Sequence, residues 1–304
     1  MRTIVNMLRI PNLLIIAFTL LLIRYFLFIP VYASAGIIPA TTDLQYRLMI
    51  IATMLIAAAG YISNDYFDVI ADRVNKPAKQ YIGPRISGTT ALAYAFILST
   101  GSVAIAAWLA ASLQSLIPLL ILATALAVAW WYAIHLKKSL LWGNIAVSCM
   151  SAGTIAMAWL IELTGSNLPG QASAVISRIV IAVGIFAFLL SLIREIVKDM
   201  EDVEGDRLLG CRSLPITIGI ASTRKVLYVL SAVTAGLLIY TQVELIQGSR
   251  VIAAAWLMLA IEIPLLYFAI ALGKSNTRNQ FHKLSTLLKW IMLGGILTLI
   301  AGHF

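Results

Sequence analysis

Polar positions along the chain gather into short clusters, and the stretches between them are apolar for close to the ~20 residues that a helical bilayer crossing requires. The apolar runs fall at about 13–32, 44–63, 89–111, 116–134, 140–161, 176–198, 224–243, 251–272 and 284–302. They predict nine transmembrane helices and hence an all-α polytopic membrane protein. Basic residues then divide the connections into two alternating sets. Residues 72–85 hold Arg73, Lys76, Lys79 and Arg85; 135–139 hold His135, Lys137 and Lys138; 198–225 hold Lys198, Arg207, Arg212, Arg224 and Lys225; 273–283 hold Lys274, Arg278 and Lys283. In the other set, 33–43, 112–115, 162–175 and 244–250, Arg250 is the only basic residue. The positive-inside rule assigns the basic connections and the N-terminus to the cytoplasm and the C-terminus to the outside, with the plasma membrane as the expected location.

Composition agrees. The chain of 304 residues is 61% hydrophobic and 12% charged, with a mean hydropathy of +0.94, whereas soluble domains carry about 25% charged residues. The first apolar run is too long for a signal-peptide core and ends in no small-residue cleavage site, so it reads as a retained helix. Cys149 and Cys211 give no disulfide framework. The net charge of +9 is spread over the connections, which points to topology and to lipid or phosphate contact, with no nucleic-acid partner expected.

Acid, by contrast, is concentrated. Most of the 13 acidic residues lie in two stretches, both in basic connections: Asp65, Asp68 and Asp72 in the first, and Glu195, Asp199, Glu201, Asp202, Glu204 and Asp206 in the second. On a helical wheel Asn64, Asp68 and Asp72 fall at roughly 0°, 40° and 80°, with Asp65 near 100°, so four oxygen-bearing side chains share one face. In the second stretch Glu195, Asp199, Asp202 and Asp206 fall within roughly 60° of one another, while Glu201 and Glu204 point away toward solvent or loop. The recurrence four helices apart suggests a duplicated four-helix unit, about 1–139 and 140–272, followed by a final helix, all within a single domain over 1–304.

Clustered carboxylates at membrane depth cost several kcal/mol to desolvate, so a hard cation such as Mg²⁺ is expected to neutralise them. Basic residues in the same connections add a seat for a polyanion, and a diphosphate satisfies both. Metal-bound diphosphate is a good leaving group, and an allylic group left behind forms a delocalised cation. Tyr61, Tyr66, Phe67, Trp130, Trp131 and Tyr132 could face such a cation.

At these residues the chain resembles a known family. Asn64-Asp65-Tyr66-Phe67-Asp68-Val69-Ile70-Ala71-Asp72 and Asp199-Met200-Glu201-Asp202-Val203-Glu204-Gly205-Asp206 are similar to the paired signatures of the UbiA superfamily of intramembrane prenyltransferases. The second stretch from Arg194, with Arg212-Ser213-Leu214-Pro215, most resembles the digeranylgeranylglyceryl phosphate synthase branch, as do Arg9-Ile10-Pro11-Asn12 and the segment from Tyr132 to Asn144. The resemblance implies helices around a central cavity and a Mg²⁺-dependent transfer from a prenyl diphosphate donor to a membrane-embedded lipid or aromatic acceptor. Carried onto this chain, Asn64, Asp68, Asp202 and Asp206 hold metal and diphosphate. Asp65, Asp72 and Asp199 support catalysis, and Arg9, Asn12, Arg73, Tyr132, Lys137, Asn144, Arg194 and Lys198 bind substrate. The run Asn75-Lys76-Pro77-Ala78-Lys79-Gln80-Tyr81-Ile82-Gly83-Pro84-Arg85 lacks the proline-rich pattern of many relatives while remaining basic.

Two other functions fit parts of the pattern. Aromatic prenylation in quinone biosynthesis needs the same donor site and an acceptor ring. A cation or proton-coupled transporter would use the carboxylates as ion sites, although such sites favour the bilayer midplane over helix ends. Arg24 and Glu262 lie inside apolar runs and are read as a snorkelling residue and a locally paired one, outside the site.

Overall fold

The computed structural model describes residues 2–75 (side chains from Val5), 77, 80–164 and 166–302. Lys76 and Lys79 of the first basic connection lie outside the described residues. Among those residues nine helices are long and apolar enough to cross a membrane: α1 (Ile10–Ser34), α2 (Asp43–Phe67), α3 (Gly88–Ser112), α4 (Ile117–Ile134), α5 (Trp142–Leu163), α6 (Gly170–Leu208), α7 (Gly219–Gln247), α8 (Val251–Lys274) and α9 (Arg278–Ala301). In lipid the backbone has no water to bond, so helices that satisfy their own N–H and C=O groups are the natural solution. The only β-type pairing among the described residues is one bridge, Ile82 with Ile86. Two helix starts are fixed by reciprocal caps: Thr42 with Gln45 ahead of α2, and Thr277 with Gln280 ahead of α9. In each the hydroxyl accepts from the third residue's backbone N–H while the carboxamide accepts from the cap's own N–H.

The chain forms two compact units, Met1–Lys138 with Gly153–Val180, and Ser139–Ala152 with Ile181–Phe304. Small residues line the core of the first: Ala52, Ala58 and Ala59 of α2 and Ala91, Ala95, Ala106 and Ala110 of α3 are buried. A Cβ on Gly60 of α2 would lie 3.5 Å from that of Ala129 in α4. Close backbone approach through small side chains is the usual source of helix association in membranes, where apolar burial alone gives no preference for protein over lipid. The second unit is built from larger residues. Ile193, Ile196 and Val197 of α6 pack in one cluster with Leu227 of α7, Phe268 of α8 and Leu288 of α9.

Two wide π turns interrupt this regularity, Arg24–Phe28 in α1 and Met258–Glu262 in α8. Each runs directly into Ile-Pro, Ile29-Pro30 and Ile263-Pro264. Proline has no N–H to give the preceding turn and its ring crowds the carbonyl four residues back, so the turn opens. Beside the second, Gly294 of α9 comes so near that a Cβ there would meet Ala260 at 3.1 Å, and Trp256 Nε1 donates to the Gly294 carbonyl at 2.9 Å.

The first π turn aims Arg24 inward, which corrects the snorkelling expectation. Arg24 is buried and donates to Thr41 Oγ1 and to the Thr41 carbonyl, both at 2.8 Å, and to Asp43 Oδ1 at 3.1 Å. Its Nη1 lies 3.4 Å from Oε2 of Glu162, a fully buried residue that accepts from the Ala40 backbone N–H at 2.7 Å and from the Thr41 hydroxyl. The guanidinium also stands 4.7 Å over the Tyr46 ring. Glu262, expected to pair locally, instead keeps a buried Oε1 with no hydrogen-bond partner.

Candidate active site

The first acidic motif ends one helix and begins another. α2 stops at Phe67, Asp68 caps it with φ −95° and ψ 5°, and a short helix, Val69–Asn75, carries Asp72 and Arg73. Backbone bonds bridge the joint, Asp68 N–H to the Asn64 carbonyl at 2.9 Å and Asp72 N–H to the Asp68 carbonyl at 2.8 Å. The unbroken helical face expected for 64–72 is therefore corrected to two segments hinged at Asp68. The Asp68 carboxylate is buried, and its Oδ2 accepts from Asn64 Nδ2 at 2.6 Å and pairs with Lys137. Lys137 comes from the tight turn Leu136–Lys138 that follows α4.

Arg9 holds the neighbouring carboxylate. Its backbone is left-handed, φ 51° and ψ 50°, at the cap of α1, a conformation uncommon for a residue with a Cβ. From there Nη2 reaches Asp65 Oδ1 at 2.5 Å and the guanidinium lies 5.0 Å over the Tyr61 ring. Burial tends to lower the pKa of Arg9, but Asp65, with Tyr61 and Asp72, more than offsets this and holds it above the ordinary value. Asn12 N–H donates to the Arg9 carbonyl at 2.7 Å and closes the turn. Asn12 and Tyr132 are half-buried, and Arg73 is exposed.

The second motif lies on one continuous helix, since α6 runs to Leu208. Asp199 Oδ2 accepts from Asn144 Nδ2 of α5 at 2.8 Å. Glu195 sits between two cations, 2.6 Å from Arg194 Nη1 and 3.2 Å from Lys198 Nζ. Asp206 is buried, and Asp202 Oδ1 lies 4.0 Å from Arg278 Nη2 of α9. Glu204 is exposed, as the wheel predicts. Glu201 is not solvated: its carboxylate, 10% exposed, faces His282 Nδ1 of α9 at 2.9 Å. α9 thus supplies partners that the sequence pattern did not indicate. Three of the aromatic faces proposed for an allylic cation are otherwise engaged or outward: Tyr61 lies beneath Arg9, Trp130 donates to Ser99 Oγ at 3.1 Å, and Trp131 is exposed.

A test of fit for Mg²⁺ rests on Asn64. Its Oδ1 is buried and accepts no hydrogen bond, although its amide nitrogen is bonded to Asp68. A free carbonyl oxygen beside a carboxylate is a donor set of the hard type that Mg²⁺ prefers. Among the described residues no three His, Cys, Asp or Glu side chains form a closed cage, and the metal's habit of keeping waters and substrate phosphate in its shell requires none.

Nine apolar helices among the described residues define a polytopic integral membrane protein, and in each unit an acidic motif is met by basic and carboxamide side chains. The chain belongs to the UbiA prenyltransferase family, whose model matches residues 25–293. It is 30% identical over 273 residues to the digeranylgeranylglyceryl phosphate synthase of Korarchaeum cryptofilum, covering 88% of this chain and 90% of that one. With the protein of that name from Saccharolobus solfataricus it shares 31% over 248 residues, covering 82% and 81%. Its fold matches a UbiA homolog from Archaeoglobus fulgidus bound to GPP and Mg²⁺, with a TM-score of 0.62 at 18% identity over 98% of this chain and 99% of that one. Membership makes the chain an enzyme and sets the transporter reading aside.

Proposed function

We propose that this protein transfers a prenyl group, geranylgeranyl, from its diphosphate to the free hydroxyl of a prenylglyceryl phosphate in ether-lipid synthesis, with Mg²⁺ as cofactor. The observation that carries this reading is the similarity to relatives named digeranylgeranylglyceryl phosphate synthase over most of both chains. Residues 1–304 act as one prenyltransferase domain in the plasma membrane, with the site facing the cytoplasm.

By the resemblance, Asn64 and Asp68 would hold metal in the first motif, and Asp202 and Asp206 in the second. When bound, Mg²⁺ neutralises the charge that grows on diphosphate as the C–O bond breaks. Lys137, which pairs with Asp68, would move onto a phosphate oxygen when donor arrives. Asp65 is tied to the Arg9 guanidinium and Asp199 to the Asn144 carboxamide. Asp65, Asp72 and Asp199 would support catalysis, the glycerol hydroxyl proton passing to one of these carboxylates or to the expelled diphosphate. Asn12, Arg73, Tyr132, Arg194 and Lys198 complete the substrate contacts.

Purified protein given labelled geranylgeranyl diphosphate and a panel of acceptors is expected to prenylate prenylglyceryl phosphate, with the product identified by mass spectrometry. Turnover of dihydroxynaphthoate or hydroxybenzoate, and none of prenylglyceryl phosphate, would move the assignment to quinone biosynthesis. Orientation has a separate test. With Cys149 and Cys211 replaced by Ser, Arg73→Cys and Glu204→Cys at exposed positions should react with an impermeant maleimide only after the cells are opened. Labelling of intact cells would reverse the topology.

A further inference from the structure

Behind the first acidic motif, within the first unit, lies one apolar cluster. Met7, two residues before Arg9, and Ile62 of α2 share it with Ile82 and with Ala91 of α3, and Tyr66 packs against it. On the helical wheel Ile62 and Tyr66 fall roughly 40° apart and Asn64 roughly opposite them. One side of α2 therefore carries the cluster, and the other the bonded pair Asn64 and Asp68.

The turn Tyr81–Ile86 supplies the cluster from outside these helices. It closes on itself: Gly83 N–H donates to the Ile86 carbonyl at 2.9 Å, and the Arg85 and Ile86 N–H groups donate to the Tyr81 carbonyl at 3.1 and 3.2 Å. Gly83 has φ 97°, a backbone that residues with a Cβ adopt only under strain. Ser87 then caps α3, its hydroxyl accepting from Thr90 N–H at 3.1 Å, and Gly88 opens that helix against the Tyr66 ring. A Cβ on Gly88 would stand 3.0 Å from Tyr66 Cε2, closer than ordinary van der Waals contact. Tyr66 also meets Phe67 edge-on, with ring centres 5.1 Å apart. The ring has little room to shift, and it lies two residues before Asp68, where α2 ends.

We propose that Tyr66 is a positioning residue: held by the Gly88 contact and the apolar cluster, its ring sets where α2 ends and so where Asn64 and Asp68 stand. The proposal rests on the metal role given above to those two residues. Tyr66→Phe keeps the ring and should behave as wild type. Tyr66→Ala should raise the Mg²⁺ concentration for half-maximal turnover and lower kcat, each by roughly ten- to a hundredfold, the scale of an ångström's misplacement, with the acceptor KM little changed. Gly88→Ala moves the same ring by less and should give a loss of about three- to tenfold in the same two quantities. Alanine is the better helix former at this position, which lies outside the left-handed region, so a loss there is not a loss of folding. Hydrogen exchange read by mass spectrometry on the protein without metal or substrate reports the placement directly. Amides 64–72 and 81–91 should exchange faster together in Tyr66→Ala, while those of α6 keep wild-type rates. Equal turnover of Tyr66→Phe and Tyr66→Ala, or unchanged exchange over 64–72 in Tyr66→Ala, overturns the proposal while the proposed function stands. Faster exchange throughout the chain marks a general loss of stability and overturns it as well. A wild-type protein inert toward every prenyl donor removes the proposed function, and the exchange pattern still decides the placement.

Discussion

Alanine at Glu162 is expected to destabilise the protein by about 3–5 kcal/mol, the usual consequence of removing one member of a buried ion pair and leaving the other charged. Arg24 would then be buried with only Thr41 and the more exposed Asp43 as oxygen partners, while the Ala40 and Thr41 backbone N–H groups would lose their acceptor. Arg24→Ala should cost a similar amount, since the fully buried Glu162 carboxylate would face no cation. The double change Arg24→Met with Glu162→Leu should be less harmful than either single change, because it removes both charges together. Denaturant unfolding in detergent micelles measures all three. Losses below about 1 kcal/mol for the single variants would show that water enters this end of the unit and that the network is not buried in solution.

The second large effect is catalytic. Asp68→Ala and Asp202→Ala are each expected to reduce kcat/KM on the order of 10³-fold or more, because each removes a charged oxygen from the groups proposed to hold metal against departing diphosphate. For Asp68 the structure adds a second consequence: Lys137 loses its carboxylate and Asn64 Nδ2 its acceptor. Asp68→Asn keeps the shape but not the charge, and should recover folding without activity. Glu204→Gln, at an exposed position, should stay within a few-fold of wild type. Glu201→Gln should fall between them, because its contact with His282 helps to hold the α6 end that carries Asp202. Measurement across a Mg²⁺ titration checks the assignment: a loss that excess Mg²⁺ partly restores belongs to metal binding, and equal losses at Glu204 and Asp202 would show that the helical-face argument has failed.

Much of this was readable in the chain because it depends on local spacing. Helix length follows from apolar run length, and the nine expected spans correspond to the nine found among the described residues. The second acidic motif lies on one helix, as its period required. The first motif departs from a single helix at Asp68, where no glycine or proline announces a break and the side chain is bonded to Asn64 and Lys137. Contacts distant in sequence were invisible for a simpler reason. Arg24 and Glu162 are 138 residues apart and Glu201 and His282 are 81 apart, and no periodicity within a helix encodes a partner on another.

The two π turns have a consequence for how the chain tolerates changes in length. A π turn holds one more residue than the same stretch of α-helix needs, so each behaves as an accommodated insertion just ahead of Ile-Pro. Removing one residue within Arg24–Phe28 or Met258–Glu262 would tighten the turn and leave both halves of the span in phase with their neighbours. The same deletion elsewhere in α1 or α8 would rotate everything beyond it by about 100° and turn a buried face to lipid. Relatives one residue shorter in these helices should therefore have lost it at these two places.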